Sequence, residues 1–175
     1  MTTIRLATPD DEDRLGEIDQ LTWSGVVSPA PIPDATKKFF ESVAPTDVVV
    51  AVDDGRVQGY VQIQRSSDLA SNAHVWEIRG LAVDPPSQGA GLGTQLVSAA
   101  IREINSRGGM RVTLRVLASN SVAQRLYANC GFDIEGVLRG EFILEGEEVD
   151  DVLMARRCDI PDRPIQAASG GRLQE

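Results

Sequence analysis

Cysteine, histidine and positive charge are scarce in this chain, and each scarcity removes a class of function. The two cysteines, Cys130 and Cys158, cannot build a disulfide framework and read as reduced thiols. His74 is the single histidine. One histidine and two distant cysteines do not make a zinc site, so no metal is expected. A Ser/His/Asp triad would have to rest on that one histidine, and no Gly-x-Ser-x-Gly turn presents a nucleophile. No apolar run approaches the roughly 20 residues that span a bilayer, so no membrane partner is expected. The formal net charge of −9 would repel a phosphate backbone, and no basic cluster offsets it. Nucleic acid is therefore not an expected partner. Met1-Thr2-Thr3-Ile4-Arg5 runs straight into a patterned segment without a signal-peptide hydrophobic region. With reduced thiols, this makes the cytoplasm the expected compartment.

What is present is the composition of a soluble globular domain: 175 residues, 42% hydrophobic and 25% charged. The pattern predicts a strand over Thr2–Leu6. A helix follows, capped by Thr8, with Pro9 at its first position, acids at 10–13 in its first turn and a buried stripe of Leu15, Ile18 and Leu21. The proline-punctuated run 26–33 is a loop, and Ala35–Val43 reads as a short helix. Asp47–Val52 and Gln58–Gln64 form a hairpin across Asp53-Asp54-Gly55. Val75–Val83 is a longer strand, whose start His74 marks. Leu92, Leu96, Val97, Ala100, Ile101 and Ile104 then repeat at helical spacing up to Gly108-Gly109. A strand over Met110–Leu117 precedes a helix over Asn120–Cys130, with Val122, Ala123, Leu126 and Tyr127 on one face. A final hairpin, Phe132–Leu144 and Val149–Arg157, turns at Glu145-Gly146. One domain over residues 1–158 and a flexible tail over 159–175 are expected. The order β-α-α-β-β-β-α-β-α-β-β is a mixed α/β layout with helices on both faces of one sheet.

The segment Gln88-Gly89-Ala90-Gly91-Leu92-Gly93 carries the strongest chemical signal. A strand ends before it and a helix starts within it, which aims free backbone N–H groups at whatever lies beyond, and an anion is the favoured guest. Gly89, Gly91 and Gly93 lack Cβ atoms, so a phosphate can come close, and Gln88 can add an amide donor. A blander role is open too: the glycines could simply let the helix pack tightly. Thr94 stands where a Rossmann fingerprint needs Gly or Ala, and no acidic residue near 110–115 holds a ribose. A P-loop would end in Gly-Lys-Ser/Thr, which is absent.

Taken together, Glu77-Ile78-Arg79-Gly80-Leu81-Ala82-Val83-Asp84-Pro85, then Gln88-x-x-Gly91-x-Gly93, then Asn120-x-x-Ala123-x-x-x-Tyr127-x-x-x-Gly131-Phe132 resemble the GNAT superfamily of N-acetyltransferases. The likeness spans about Ile4 to Arg157. Glu135-Gly136-Val137-Leu138-Arg139, Phe142, Gly146 and Val149-Asp150 look like the branch that acetylates ribosomal-protein N-termini and polyamines. The resemblance implies a largely antiparallel sheet of about seven strands, splayed beside Glu77–Val83, with acetyl-CoA as co-substrate. Its pantetheine arm would meet main-chain groups of Leu81, Ala82 and Val83. Its pyrophosphate would lie on the N–H groups of Gly89, Ala90, Gly91, Leu92, Gly93 and Thr94, beside Gln88. Asn120 and Tyr127 would flank it on the other side. Members of the family often carry a basic residue where Gly89 and Ala90 stand here, so the anion would lean on backbone dipoles.

Acyl transfer from a thioester to an amine needs a neutral amine and a proton for the leaving thiolate. The resemblance gives Tyr127 the second task, and a phenol is suited to it because it stays protonated at neutral pH. Packing with Ala123 in the core is its alternative role. The resemblance also makes Glu77 the candidate base, acting through a water, because it sits eleven positions before Gln88, where some members of the family carry one; a solvent-facing glutamate is the alternative. The resemblance further implies that the Trp23–Pro33 loop and the last hairpin select the acceptor. Glu141, Glu145, Glu147, Glu148, Asp150 and Asp151 could steer a cationic amine, or could simply make a solvated edge. The expected activity is acetyl transfer to a primary amine of a small molecule, peptide or protein N-terminus. An acyl-CoA-binding module without catalysis is the alternative, and pairing of the last hairpin could make a homodimer.

Overall fold

The computed structural model describes residues 1–158; the segment expected to be a tail, 159–175, lies outside them. Seven strands form one sheet in the order β1-β2-β3-β4-β5-β7-β6. They are β1 (Thr3–Leu6), β2 (Val48–Asp53), β3 (Arg56–Arg65), β4 (Val75–Val83), β5 (Arg111–Leu117), β6 (Asp133–Leu144) and β7 (Glu147–Arg157). The helices are α1 (Glu12–Thr22), α2 (Leu92–Ser106) and α3 (Ser121–Asn129). Every neighbouring pair is antiparallel except β4 and β5, the pair whose crossover contains α2. The β2–β3 turn places Asp54 at φ 47° and Gly55 at φ 75°, the left-handed pair that matches strand twist in a tight hairpin.

Each face of the sheet has its own core. On one, α2 lays Leu96, Val97, Ala100, Ile101 and Ile104 against Trp76, Ile78, Val112, Leu114 and Val116, with Tyr127 and Phe132 completing the cluster. On the other, Leu15 and Ile18 of α1 pack on Val48, Val50, Tyr60 and Ala82. The expected mixed sheet with helices on both faces is the fold found. No helix among the described residues is long and apolar enough to cross a membrane, and no group of His, Cys, Asp or Glu among them could hold a metal ion.

Three expectations about local structure need correction. The segment Ala35–Val43 is not an α-helix; it holds one 3-10 turn, Phe39–Glu41. Asp34 accepts hydrogen bonds from the Thr36 N–H (2.9 Å) and hydroxyl (2.7 Å), a local turn that competes with a helical start. Phe39 is instead fixed edge-on to Tyr60, with ring centroids 5.0 Å apart. Leu21 and Val122, expected on buried stripes, are 55% and 69% exposed. Both sit roughly 90° round their helices from the true stripe, at 100° per residue. Finally, Thr8 does not cap α1 directly. A 3-10 turn over Pro9–Asp11 precedes it, and Asp11 accepts from the Thr8 N–H at 2.8 Å.

Candidate active site

Strand β4 pairs with β5 only from Val75 to Ile78, opposite Arg111 to Leu114. Beyond that point β5 continues with β7 to Leu117, while β4 continues with β3 to Val83. The two central strands therefore part, and the edge of β4 from Arg79 to Val83 that faces β5 is open. Ala82 pairs with Tyr60, and the Asp84 N–H donates to Gln58 O at 2.7 Å. By the alternation of an antiparallel ladder, residues 82 and 84 present their main-chain groups to β3, and Leu81 and Val83 present theirs to the opening. Of the three expected main-chain partners, Ala82 is thus turned away and buried in the α1-side core.

The end of β4 is anchored from α1. Arg14 donates from Nε to Val57 O at 3.1 Å and forms an ion pair with the buried Asp84 carboxylate. Asp84 O accepts from the Ser87 N–H at 2.8 Å, closing the 3-10 turn Pro85–Ser87 that leads into the glycine loop. Neither Arg14 nor this tether is legible in the sequence; the Asp84-Pro85-Pro86 stop is the one visible sign of a fixed corner.

Gly89 and Gly91 have φ of 81° and 77°, and a Cβ on either would meet nothing within 4 Å. These two glycines are required by conformation, and the space over them is open. Gly91 is the residue before α2, and Gln95 makes the first helical hydrogen bond, to Gly91 O at 3.2 Å. The N–H groups of Leu92, Gly93 and Thr94 precede it and have no partner among the described residues, which is the arrangement an anion fills. Ala90 is exposed and lines a cavity of about 260 Å³ beside the loop, with Leu92 and Gln95. Two expected roles differ. Gln88 does not aim its amide outward; its Nε2 donates to Val83 O at 2.9 Å and ties the loop to the strand end. Gly93 is buried, and a Cβ there would lie 2.6 Å from Leu126 Cδ1, so α3 rather than a ligand fills the space.

That contact brings α3 to the loop. Asn120 caps the helix, its side chain accepting from the Ala123 N–H at 3.1 Å. Tyr127 is buried on the α2 side, edge-on to Phe132 with centroids 5.7 Å apart, and its hydroxyl makes no hydrogen bond among the described residues. Burial, with Cys130 adding to it, raises its pKa well above the ordinary phenol value, so it remains a proton donor. Glu77 lies opposite Thr113 where pairing is about to end. It is half-buried, accepts from Gln64 Nε2 at 3.4 Å and lies 3.6 Å from Arg79. Its neighbours Trp76 and Ile78 belong to the α2-side core, so Glu77 points to the α1 side, across the sheet from Tyr127. Only through the gap beyond Ile78 do the two sides meet.

The expected selectivity elements also converge there. Val26 O accepts from the Ser119 hydroxyl at 3.1 Å, and Gly25 approaches the Glu145 carboxylate at the β6–β7 turn. The acidic run is only partly free. Asp151 is buried against Arg115, Glu141 also pairs with Arg115 (3.0 Å), and Asp150 pairs with Arg139 (2.6 Å). Glu145, Glu147 and Glu148 face solvent.

A sequence profile described as the acetyltransferase (GNAT) family matches residues 13–132. The chain is 34% identical over 90 residues to a mycothiol acetyltransferase of Brachybacterium faecium, covering 51% of this chain and 27% of that protein. It is 36% identical over 75 residues to a [Ribosomal protein bS18]-alanine N-acetyltransferase of Salmonella typhimurium, covering 43% and 51%. The chain thus spans between about a quarter and about half of these relatives. Among solved structures, a phosphinothricin acetyltransferase of Sinorhizobium meliloti in complex with AcCoA shares the fold, with a TM-score of 0.78 at 21% identity over 89% of this chain and 88% of that one.

Proposed function

Because this chain belongs to the acetyltransferase (GNAT) family, we propose that it moves the acetyl group of acetyl-CoA onto a primary amine. The acceptor would be a small molecule, a peptide or a protein N-terminus. The observation that carries this reading is the adjacency of two sets of backbone groups that no strand or helix pairs. One is the edge of Leu81 and Val83 turned away from β3, on which Gln88 Nε2 takes up only Val83 O; the other is the N–H cluster of Leu92, Gly93 and Thr94 above Gly89 and Gly91. An extended ligand ending in a pyrophosphate satisfies both, the first as an added strand and the second as an anion at a helix start.

The thioester supplies an activated carbonyl carbon. The amine nitrogen attacks it, the C–N bond forms and the C–S bond breaks. Glu77, reached through a water, takes the proton that frees the amine lone pair, and Tyr127 gives a proton to the departing sulfur. Overall an ammonium loses two protons, one ending on the CoA thiol and one in solvent. Asn120 acts by fixing α3, and Gln88 by fixing the loop.

Thiol release measured over a panel of amines tests the reading. Turnover that falls strongly in Tyr127→Phe and Glu77→Gln is the expected result. Tight CoA binding without turnover on any amine would leave a non-catalytic acyl-CoA-binding module. We further propose a cytoplasmic setting, since two cysteines are too few for a disulfide framework. The outer edge of β6, with exposed Ile134, Leu138 and Ile143, is the surface through which two copies would pair, and light scattering reads that directly.

A further inference from the structure

On the α1 side of the sheet, a cavity of about 470 Å³ opens onto Arg79 and Gly80, the β4 residues immediately beyond the point where β4 and β5 part. Three acids and three bases line it. The acids are engaged. Asp19 accepts from the Tyr60 hydroxyl at 2.6 Å, Asp34 is held in its turn by Thr36, and Glu41 accepts from the Lys38 N–H at 3.4 Å. The bases are not. Lys37 and Lys38 form no ion pair among the described residues, and Arg79, about half exposed, has one loose contact, 3.6 Å to Glu77. Lys37 and Lys38 are also the only lysines in a chain of 175 residues whose net charge is −9. In so acidic a protein, two adjacent lysines and a loosely held arginine facing one cavity are a local concentration of cationic donors that an incoming anion could use.

Resting on the acetyl-transfer reading, we infer that this cavity receives the acceptor and that Arg79, Lys37 and Lys38 bind a carboxylate on it. The acceptors are therefore amino acids or other carboxylate-bearing amines rather than polyamines. The planar guanidinium of Arg79 can grip a carboxylate with two parallel hydrogen bonds, while the lysines act as point charges at the rim. The amine end then extends past Gly80 toward the gap, where Glu77 stands on the same face.

The test is a matched panel: short linear amino acids, their primary amides and the corresponding diamines, each assayed for kcat/KM with acetyl-CoA. The wild type should prefer acid over amide by about tenfold or more, chiefly through KM, because a neutral amide cannot form the charge-assisted pair with Arg79. Arg79→Gln should bring acid and amide near parity, Arg79→Lys should keep part of the preference, and the double variant Lys37→Gln/Lys38→Gln should reduce it. Parity in the wild type, or a preference for diamines, overturns the inference and leaves acetyl transfer standing. If no amine is turned over, acetyl transfer itself fails. Calorimetric titration of the same acids and amides into the CoA-saturated protein then still decides. Binding of acids alone, abolished in Arg79→Gln, supports the carboxylate site; equal or no binding of both refutes it.

Discussion

Gly93→Ala separates packing from ligand binding in the glycine loop. Its new Cβ would start 2.6 Å from Leu126 Cδ1, whereas carbon atoms rest about 3.5–4.0 Å apart. Leu126 must therefore retreat by about an ångström. Such overpacking costs about 1–3 kcal/mol, and alanine in place of glycine inside a helix returns up to about 1 kcal/mol. The net loss is about 0–3 kcal/mol, and each kcal/mol lowers Tm by about 2–4 °C in a chain of this size. In a Leu126→Ala background the clash is gone and only the helical gain remains, so Gly93→Ala should become neutral or stabilising. Thermal and urea unfolding of the four proteins gives the coupling, expected at about 1–3 kcal/mol. Equal cost in both backgrounds would refute the packing role. The double variant keeps its position 93 N–H and should keep its acetyl-CoA affinity. Gly91→Ala is the contrasting case. No neighbour crowds it, but its φ of 77° costs alanine about 1–2 kcal/mol, which no second substitution relieves.

Further outcomes can be checked separately. Tyr127→Phe should lower kcat by about 100-fold or more while leaving Tm unchanged, because the hydroxyl has no hydrogen-bond partner among the described residues to lose and the Phe132 ring contact is kept. The raised folded pKa of Tyr127 means its contribution to stability is complete below pH of about 10 and is lost as pH climbs toward the folded value, visible in alkaline unfolding. Arg14→Met strands the buried Asp84 carboxylate and should cost about 3–5 kcal/mol by urea unfolding, with Arg14→Met/Asp84→Asn losing clearly less. The Arg5 guanidinium holds the Asp11 carboxyl below its ordinary range. The stability it gives is therefore present above pH of about 4 and lost as pH falls through the folded value. Asp11→Asn should lower stability at neutral pH by about 1–3 kcal/mol and flatten the acid limb of Tm against pH.

The strands and α2 were legible because period and punctuation agreed there. Asp54-Gly55 fixed a hairpin, and six apolar positions of α2 all reached the core. Leu21 misled because a stripe counted by threes drifts round the helix, and Val122 because it lies one residue, about 100°, from Ala123 at the start of its helix. The Ala35–Val43 turn depended on an Asp34–Thr36 interaction and on Tyr60, far away in sequence. At the site, the positions of Gly89 and Gly91 could be read, but their separate duty from Gly93 could not, since Leu126 is 33 positions beyond it. The same holds for Gln88, whose amide turns back to Val83, and for Arg14, 70 positions from Asp84. Contacts between distant elements decide such roles, and a linear pattern does not contain them.

A crystal soaked with acetyl-CoA tests the central claim most directly. The pyrophosphate oxygens should lie within about 2.7–3.2 Å of N–H groups between Gly89 and Thr94, with the arm running along the open edge of Leu81 and Val83. A pyrophosphate seated elsewhere, above all among Lys37, Lys38 and Arg79 in the α1-side cavity, would contradict it.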